Sequence, residues 1–356
     1  MLSCRADDRL GADASGHQTI LGGMALTALI IGGGGQIGRA VARNLLDHGW
    51  DVRLAQRSNQ DLPADLAATV ATRLLDRDQP GALRQAIAGG VDAVIDTVAF
   101  TEEHGRQLLE IETDVGAFVV ISSASVYRDA AGRTLDEARQ QGFPELPVPI
   151  NEDQPTVDPG PATYSTRKVA LEQTLLQNAR APVSMLRPGA VYGDGSSHPR
   201  EWWFIKRILD GRRRIPLAYD GRSRFHTSAA INIAELCRRA LEAPAARILN
   251  AADPKALDVV GIGAAIAVHY GADVEFVRLQ GSPRDGVGAH PWCIPNPVVL
   301  DMTRARALNY RAASRYEEAV GDACRSAELA AAAGRAFPDY ISAFDYAAED
   351  AVFAEG

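Results

Sequence analysis

A tyrosine and a lysine with the chemistry of an acid and base pair lie four positions apart, at Tyr164 and Lys168. On a helix, residues i and i+4 are neighbours on one face, so this spacing predicts that the phenol and the ammonium lie side by side. A nearby positive charge stabilises a phenolate, and we therefore expect Lys168 to lower the pKa of Tyr164. A phenol tuned in this way passes protons to or from an alcohol or a carbonyl.

A glycine-rich turn lies upstream of this pair and has the spacing G-x-x-G-x-x-G between a predicted strand and a predicted helix. The absence of side chains allows a tight turn, close helix packing, and the approach of a pyrophosphate to backbone N–H groups. Such turns also occur without a ligand, but the tyrosine and lysine downstream favour a dinucleotide. The candidate cofactor-binding residues of the turn are Gly32, Gly35, Gln36, Ile37 and Gly38.

The elements that must position these residues alternate between strand and helix, with short connections. Predicted strands cover 26–31, 51–55, 92–98 and 117–122, and predicted helices cover 36–48, 80–88 and 102–113. This alternation predicts an α/β fold with a Rossmann-type, doubly wound parallel sheet. Ligands bind such sheets beyond the carboxyl ends of the strands. The glycine turn and a serine cluster that begins at Ser122 both follow strands, so we expect the site there.

The end of the second strand bears on the choice of cofactor. An acidic residue there would accept hydrogen bonds from the ribose of NAD, but residues 52–58 carry no carboxylate. Arg57 instead offers a planar, permanently charged set of donors for the 2′-phosphate of NADP. We therefore favour NADP over NAD, and the alternative is that Arg57 is a solvated surface residue.

Composition limits the classes of function that need to be considered. The 356 residues are 46% hydrophobic, with a net charge of −8 and four well-separated cysteines. This composition predicts a globular protein that acts on a small molecule rather than on nucleic acid or an anionic membrane surface. No apolar run reaches the roughly 18 residues of a membrane helix. The cysteine spacing suits neither a metal site nor a disulfide framework, which favours a cytoplasmic location.

As an ordered series, the motifs resemble those of the extended short-chain dehydrogenases/reductases, in the NAD-dependent epimerase/dehydratase superfamily. The resemblance covers roughly residues 24–310 and rests on Gly32-x-x-Gly35-x-x-Gly38, Asp76-Arg77, Ser122-Ser123-Ala124-Ser125-Val126-Tyr127, Tyr164-x-x-x-Lys168 and Arg187-Pro188-Gly189. It implies that Ser123 binds the substrate oxygen, that Tyr164 is the acid/base, and that Lys168 binds the nicotinamide ribose.

The same resemblance implies further contacts with the cofactor and the substrate. Cofactor contacts are expected from Asp76, which corresponds to an adenine-binding aspartate, and from Arg77 and Pro188. The residues that are candidates for contact with the substrate are Ser125, Arg222 and Arg224. The two arginines precede Phe225-His226, where nucleotide-sugar enzymes of the superfamily bind a diphosphate, although a solvated loop is an equal alternative. Sugar dehydratases have an acidic pair where this chain has Ala124 and Ser125, which disfavours dehydration.

Three functions remain open from the sequence. The first is an NAD(P)-dependent oxidoreductase that reduces a keto group or oxidises a secondary alcohol. The second is a nucleotide-sugar epimerase with tightly bound NAD. The third is a non-enzymatic nucleotide sensor or an RNA-binding relative, which the complete Ser/Tyr/Lys set and the negative net charge disfavour.

The expected domain organisation is discontinuous. It comprises an extension or misassigned start at 1–23, a dinucleotide-binding domain at 24–192 joined by 228–255, a mostly helical substrate-binding part at 193–227 and 256–322, and a helical tail at 323–356. We expect translation to start at Met24, which directly precedes the first strand. The resemblance implies a homodimer formed through the helices at Glu102 and Tyr164. The proline-rich segment 129–160 is interpreted either as a lid or as an exposed loop.

Overall fold

A computed structural model describes residues 25–58 and 62–354, so the predictions for residues 1–23 and for a start at Met24 lie outside it. A parallel seven-stranded sheet forms the centre of the described residues. In spatial order its strands are β10 (Arg247–Ala251), β6 (Val183–Pro188), β5 (Val115–Ile121), β4 (Val91–Asp96), β1 (Thr27–Ile31), β2 (Asp51–Gln56) and β3 (Ala71–Leu74). The predicted doubly wound fold is confirmed. The strand order reverses beside β1, where such sheets open a crevice for ligands.

Each face of the sheet packs against its own set of helices. The sheet and the helices beside it are called the sheet layer. Its helices are α1 (Gln36–Asp47), α2 (Ala64–Ala67), α3 (Ala82–Ala86), α4 (Glu102–Leu109), α5 (Ala138–Gln141), α6 (Tyr164–Asn178) and α8 (Ala230–Glu242). Strand β1 shows the division, because Ile30 joins the core with α1 and α8, whereas Leu29 joins the core with α4 and α6. Successive side chains of a strand point to opposite faces, so one apolar strand supplies both cores.

The remaining elements form a smaller layer with its own core. They are β7 (Ala190–Tyr192), α7 (Trp202–Leu209), β8 (Arg214–Leu217), β9 (Thr227–Ala229), α9 (Val259–His269), β11 (Glu275–Arg278), α11 (Tyr316–Ala332), α12 (Asp339–Ser342) and α13 (Tyr346–Ala354). The short helix α10 (Thr303–Arg306) is an exception, because it packs against β10 and its Ala305 lies in the core of the sheet layer. The Arg207 guanidinium of α7 lies 3.6 Å from the Trp203 ring centroid, and its Nη2 lies 2.6 Å from the Glu349 carboxylate of α13. The C-terminal segment is thereby fixed to α7.

The segment 228–255, which we expected to rejoin the dinucleotide-binding domain, contains two elements that take part in the sheet layer. Strand β10 pairs with β6, and α8 packs against α1. The domain boundaries themselves stay a prediction. Within the part of the chain that the structure describes, no helix combines the length and hydropathy needed to cross a membrane.

Candidate active site

The glycine turn between β1 and α1 requires glycine for steric reasons. Gly32 has φ +82°, and a Cβ on it would lie 2.4 Å from Thr97 Oγ1. A Cβ on Gly38 would lie 2.4 Å from the Gly32 carbonyl oxygen, so α1 packs onto the turn with no room for a side chain. Gly35 is the N-cap of α1 and supplies no side-chain hydrogen bond. The first N–H groups of α1 therefore keep the capacity to bind an anion.

A cavity of about 310 Å³ lies against this turn. Its lining residues are Ile31, Gly32, Gly34, Gly35, Ala55, Gln56, Arg57, Ser58, Leu75, Arg77, Asp78, Val98 and His104. The lining combines a side-chain-free cradle with the exposed donors of Arg57, which fits a nucleotide with phosphate groups. Gln36 and Ile37 turn their side chains elsewhere, since Gln36 Nε2 donates to the Gly193 carbonyl at 3.4 Å and Ile37 packs into the core.

The structure separates the two aspartates of the segment after β3. Asp76, predicted to contact adenine, is exposed and is not among the lining residues of the cavity. Its carboxylate accepts hydrogen bonds from the Asp78 N–H at 3.2 Å and from Gln79 Nε2 at 3.3 Å. Asp78 lines the cavity instead. The two carboxylates are two positions apart in the sequence, which does not show which of them faces the cavity. The path of the backbone in this turn decides it.

Arg77 lines the same cavity but is engaged by protein groups. It is buried, and its Nη1 donates to Asp96 Oδ2 at 2.9 Å, while its Nε donates to Gln107 Oε1 at 2.9 Å. The other oxygen of Asp96 accepts the Ala99 N–H at 2.7 Å. Asp96 thus fixes the chain after β4. The sequence reasoning missed this residue, and its signal was a carboxylate directly after the apolar run Ala93-Val94-Ile95 at the end of β4.

Lys168 lies one helical turn after Tyr164, at the carboxyl ends of β4 and β5. Its Nζ donates to the Ala99 carbonyl at 2.7 Å and to the Ile121 carbonyl at 2.9 Å, and lies 5.9 Å from the centroid of the Tyr164 ring. Burial lowers the pKa of Lys168 to about 8, against the opposing influence of Asp96. An ammonium has three N–H donors, so one is left for another acceptor.

Tyr164 is the first residue of α6 and is 45% exposed. Its ring packs on Phe100, with centroids 5.3 Å apart. Burial raises the pKa of Tyr164, a hydrogen bond with Ser123 opposes that rise, and the carboxylate of Asp136 adds to it. The expectation that Lys168 lowers this pKa is therefore wrong for the described structure. The ammonium points to the two carbonyl groups, and the phenol keeps an acidity weaker than usual.

The serine cluster continues the site beyond Tyr164. Ser123 Oγ lies 2.9 Å from Ser125 Oγ and accepts the Ser125 N–H at 3.1 Å. Ser125, a predicted substrate contact, is also 2.9 Å from the Ser165 hydroxyl of α6. The structure thus places Ser123 beside Tyr164, two residues to which the family resemblance gives roles at the same substrate oxygen. It also adds Ser165, which the sequence reasoning did not single out.

The remaining predicted residues lie farther along the chain. Pro188 is buried at the end of β6. Arg222 and Arg224 are exposed on the segment between β8 and β9, and the Arg224 carbonyl accepts the Val298 N–H at 2.8 Å. His226, next to them, is buried and its Nδ1 accepts the Leu300 N–H at 3.1 Å, so it is part of the internal framework.

Comparison with solved structures gives the same architecture. UDP-N-acetylglucosamine 4-epimerase from Bacillus cereus has a TM-score of 0.64 and 17% identity, over 85% of this chain and 99% of that chain. The Bordetella bronchiseptica enzyme WbmG in complex with NAD has a TM-score of 0.65 and 18% identity, over 87% and 96%. UDP-glucose 4-epimerase from Thermotoga maritima has a TM-score of 0.64 and 17% identity, over 86% and 100%. No curated protein matches the sequence.

The parallel sheet and its glycine turn define a class, the Rossmann-type α/β enzymes. The family model "NAD dependent epimerase/dehydratase family" matches residues 28–252, which is more than half of the chain. The chain therefore belongs to the NAD-dependent epimerase/dehydratase family, and the resemblance seen in the sequence is confirmed.

Proposed function

We propose that this enzyme moves a proton to or from the oxygen of a secondary alcohol or ketone through Tyr164. Ser123 orients that oxygen, and the free N–H of Lys168 binds the nicotinamide ribose. A bound nicotinamide dinucleotide supplies the hydride donor or acceptor. The observation that supports the proposal most is the position of the Ser123 hydroxyl beside the half-exposed phenol of Tyr164, next to a buried ammonium. A substrate oxygen could reach both hydroxyl groups there.

The raised pKa of Tyr164 suits the donation of a proton. A neutral phenol protonates the oxygen that forms when a ketone is reduced, whereas oxidation of an alcohol needs the phenolate. The Arg57 guanidinium in the nucleotide cavity favours NADP, but Asp78 in the same cavity could accept hydrogen bonds from the ribose of NAD. Our first choice is thus an NADP-dependent reductase of a small ketone.

A second candidate is a nucleotide-sugar epimerase with tightly bound NAD. Its support comes from the fold comparisons, because the chain spans almost the full length of two UDP-sugar 4-epimerases. The exposed Arg222 and Arg224 could bind a diphosphate. The homodimer through α4 and α6 and the cytoplasmic location stay predictions.

Nucleotide binding distinguishes the two candidates. The purified protein is denatured to release any bound nucleotide, and the native protein is titrated with NADPH and NADH while nicotinamide fluorescence is followed. An empty site with tight, exchangeable NADPH supports the reductase, and co-purified NAD supports the epimerase. Arg57→Ala should weaken NADPH binding and leave NADH binding unchanged. The absence of binding for all of these nucleotides would refute both.

Substitution of the phenol tests the role of Tyr164. Tyr164→Phe should lower turnover by about 10²–10⁴-fold, the usual contribution of a general acid or base, while the nucleotide still binds. Tyr340, which is 42% exposed, provides a matched control, and Tyr340→Phe should keep full activity. Full activity of Tyr164→Phe would overturn the assignment.

A further inference from the structure

Two groups beside Tyr164 have no part in the proposed function, the Asp136 carboxylate and the Ser165 hydroxyl. Asp136 lies in the segment between β5 and α6, where its N–H donates to Thr134 Oγ1 at 3.2 Å. Its Oδ2 accepts the backbone N–H of Ser165 at 2.7 Å. A carboxylate at this position satisfies one of the unpaired N–H groups of the helix and interacts favourably with its dipole. Asp136 therefore holds the helical turn that carries Tyr164.

The Ser165 side chain points the other way, toward the serine cluster. It is fully buried, and its hydroxyl lies 2.8 Å from the Ser125 carbonyl oxygen and 2.9 Å from Ser125 Oγ. Ser125 Oγ is in turn 2.9 Å from Ser123 Oγ, and the Ser123 hydroxyl lies beside the Tyr164 phenol. Three serine hydroxyl groups thus form one connected chain that ends next to the phenol.

We propose, resting on the function above, that Asp136, Ser125 and Ser165 are positioning residues of the tyrosine site. Asp136 fixes the start of α6, and the two serines orient the Ser123 hydroxyl toward Tyr164. Ser125 is then a support for Ser123 and not the substrate contact that the sequence predicted. When Tyr164 is ionised, each hydroxyl can donate to the next, from Ser165 through Ser125 and Ser123 to the phenolate oxygen. Aligned hydrogen bonds of this kind strengthen one another.

The serine hydroxyl chain and the Asp136 carboxylate shift the pKa of Tyr164 in opposite directions. The hydroxyl chain stabilises the phenolate, whereas the negative charge of Asp136 opposes it. Two cations also belong to the surroundings of Tyr164. The Nζ of Lys168 lies 5.9 Å from the Tyr164 ring centroid, and the Arg167 guanidinium lies 5.5 Å from the Phe100 ring on which Tyr164 packs. Both cations are unchanged in the variants below, so differences between variants isolate the proposed groups.

Ionisation of Tyr164 can be measured without a substrate. Tyrosinate absorbance is recorded as a function of pH for each protein and for the same protein with Tyr164→Phe, and the difference gives the titration of Tyr164. Asp136→Asn keeps a hydrogen-bond acceptor and removes the charge, so the midpoint should fall. Ser165→Ala should raise the midpoint, and Ser125→Ala should raise it more because it breaks the chain next to Ser123. Asp158→Asn, an exposed aspartate in the same segment, should leave it unchanged.

Opposite shifts would support the proposal, because a general loosening of the site would move all three variants in one direction. Midpoints that stay within about 0.1 unit of wild type, or that shift together, would overturn it. If Ser165→Ala does not fold, as judged by circular dichroism, Ser125→Ala tests the same chain. Full turnover of Tyr164→Phe would refute the proposed function alone. Loss of turnover in Tyr164→Phe, combined with titration midpoints that do not move in the other variants, would refute only the positioning role.

Discussion

Helices α1 and α6 supply the two halves of the candidate site, and their first turns are built in opposite ways. Helix α1 begins after Gly35, which offers no side-chain cap. Helix α6 begins after Thr163, which forms a capping box with Thr166, and the Asp136 carboxylate accepts a further N–H of the same turn. One helix start is open, and the other is closed by protein groups.

The difference follows from what each helix start must do. Unpaired N–H groups at the start of α1 can bind a phosphate, and any side chain placed there would compete with it. At α6 the functional group is the side chain of the first residue, Tyr164, which must stay in one position. Pairing the N–H groups within the protein holds that turn and also excludes an anion. The substitutions below close the open turn or weaken the closed one.

The largest effect should come from Gly38→Ala in α1. The added Cβ would lie 2.4 Å from the Gly32 oxygen and 2.7 Å from the Gly33 Cα, and both are backbone atoms that move only if the turn moves. We expect a loss of unfolding free energy at or above the upper end of the roughly 1–3 kcal/mol range for overpacking, with nucleotide binding lost. Thermal unfolding and fluorescence titration measure the two effects.

Gly160→Ala is the matched control, because a Cβ there meets open space just before α6. It should leave both stability and nucleotide binding within error of wild type. Tight nucleotide binding by a stable Gly38→Ala protein would contradict the close packing of α1 on the turn.

The two helix starts also differ in how far the sequence could predict them. The open turn is local: three glycines at fixed spacing between an apolar strand and a helix determine it, and the structure keeps that geometry. The closed turn is not local, because Asp136 lies 29 residues before Ser165 in a segment with no regular pattern. The same limit explains β3, whose residues Ala71–Leu74 are all exposed and show no apolar alternation, so it was not predicted.

The charged groups of the site show a similar limit. The i, i+4 spacing correctly placed Tyr164 and Lys168 one turn apart. It could not show that the ammonium is buried against the Ala99 and Ile121 carbonyls, because these come from two other connections. Nor could it show that Arg77 is paired with Asp96 across the sheet edge. Contacts between distant segments therefore decide how these charged groups are buried and paired.

The second prediction concerns how the buried Lys168 of α6 makes the unfolding free energy depend on pH. Its pKa of about 8 lies below the ordinary value of 10.5, so between these values the unfolded chain binds more protons than the folded protein. The wild-type unfolding free energy should gain a contribution from Lys168 as the pH rises through this window. At about 1.4 kcal/mol per pKa unit, the full gain is ~3 kcal/mol.

Lys168→Met removes this titration. The unfolding free energy of the variant relative to wild type should therefore fall by up to that amount between pH 8 and pH 10.5. Denaturant unfolding at several pH values measures it, with Lys255→Met, at an exposed lysine, as the control that should stay flat. A relative stability of Lys168→Met that does not change with pH would show that the Lys168 pKa is not lowered by burial.

The smallest effect should come from Thr163→Ala at the start of α6. The Thr163 hydroxyl accepts the Thr166 N–H at 3.2 Å, and its loss should cost about 1 kcal/mol of unfolding free energy, the usual value for an N-cap. Thr163→Ser keeps the hydroxyl and should restore most of the difference. Because Asp136 still holds the neighbouring N–H, the Tyr164 titration midpoint should move less in Thr163→Ala than in Asp136→Asn. A larger movement in Thr163→Ala would mean that the capping box, and not the carboxylate, fixes the tyrosine.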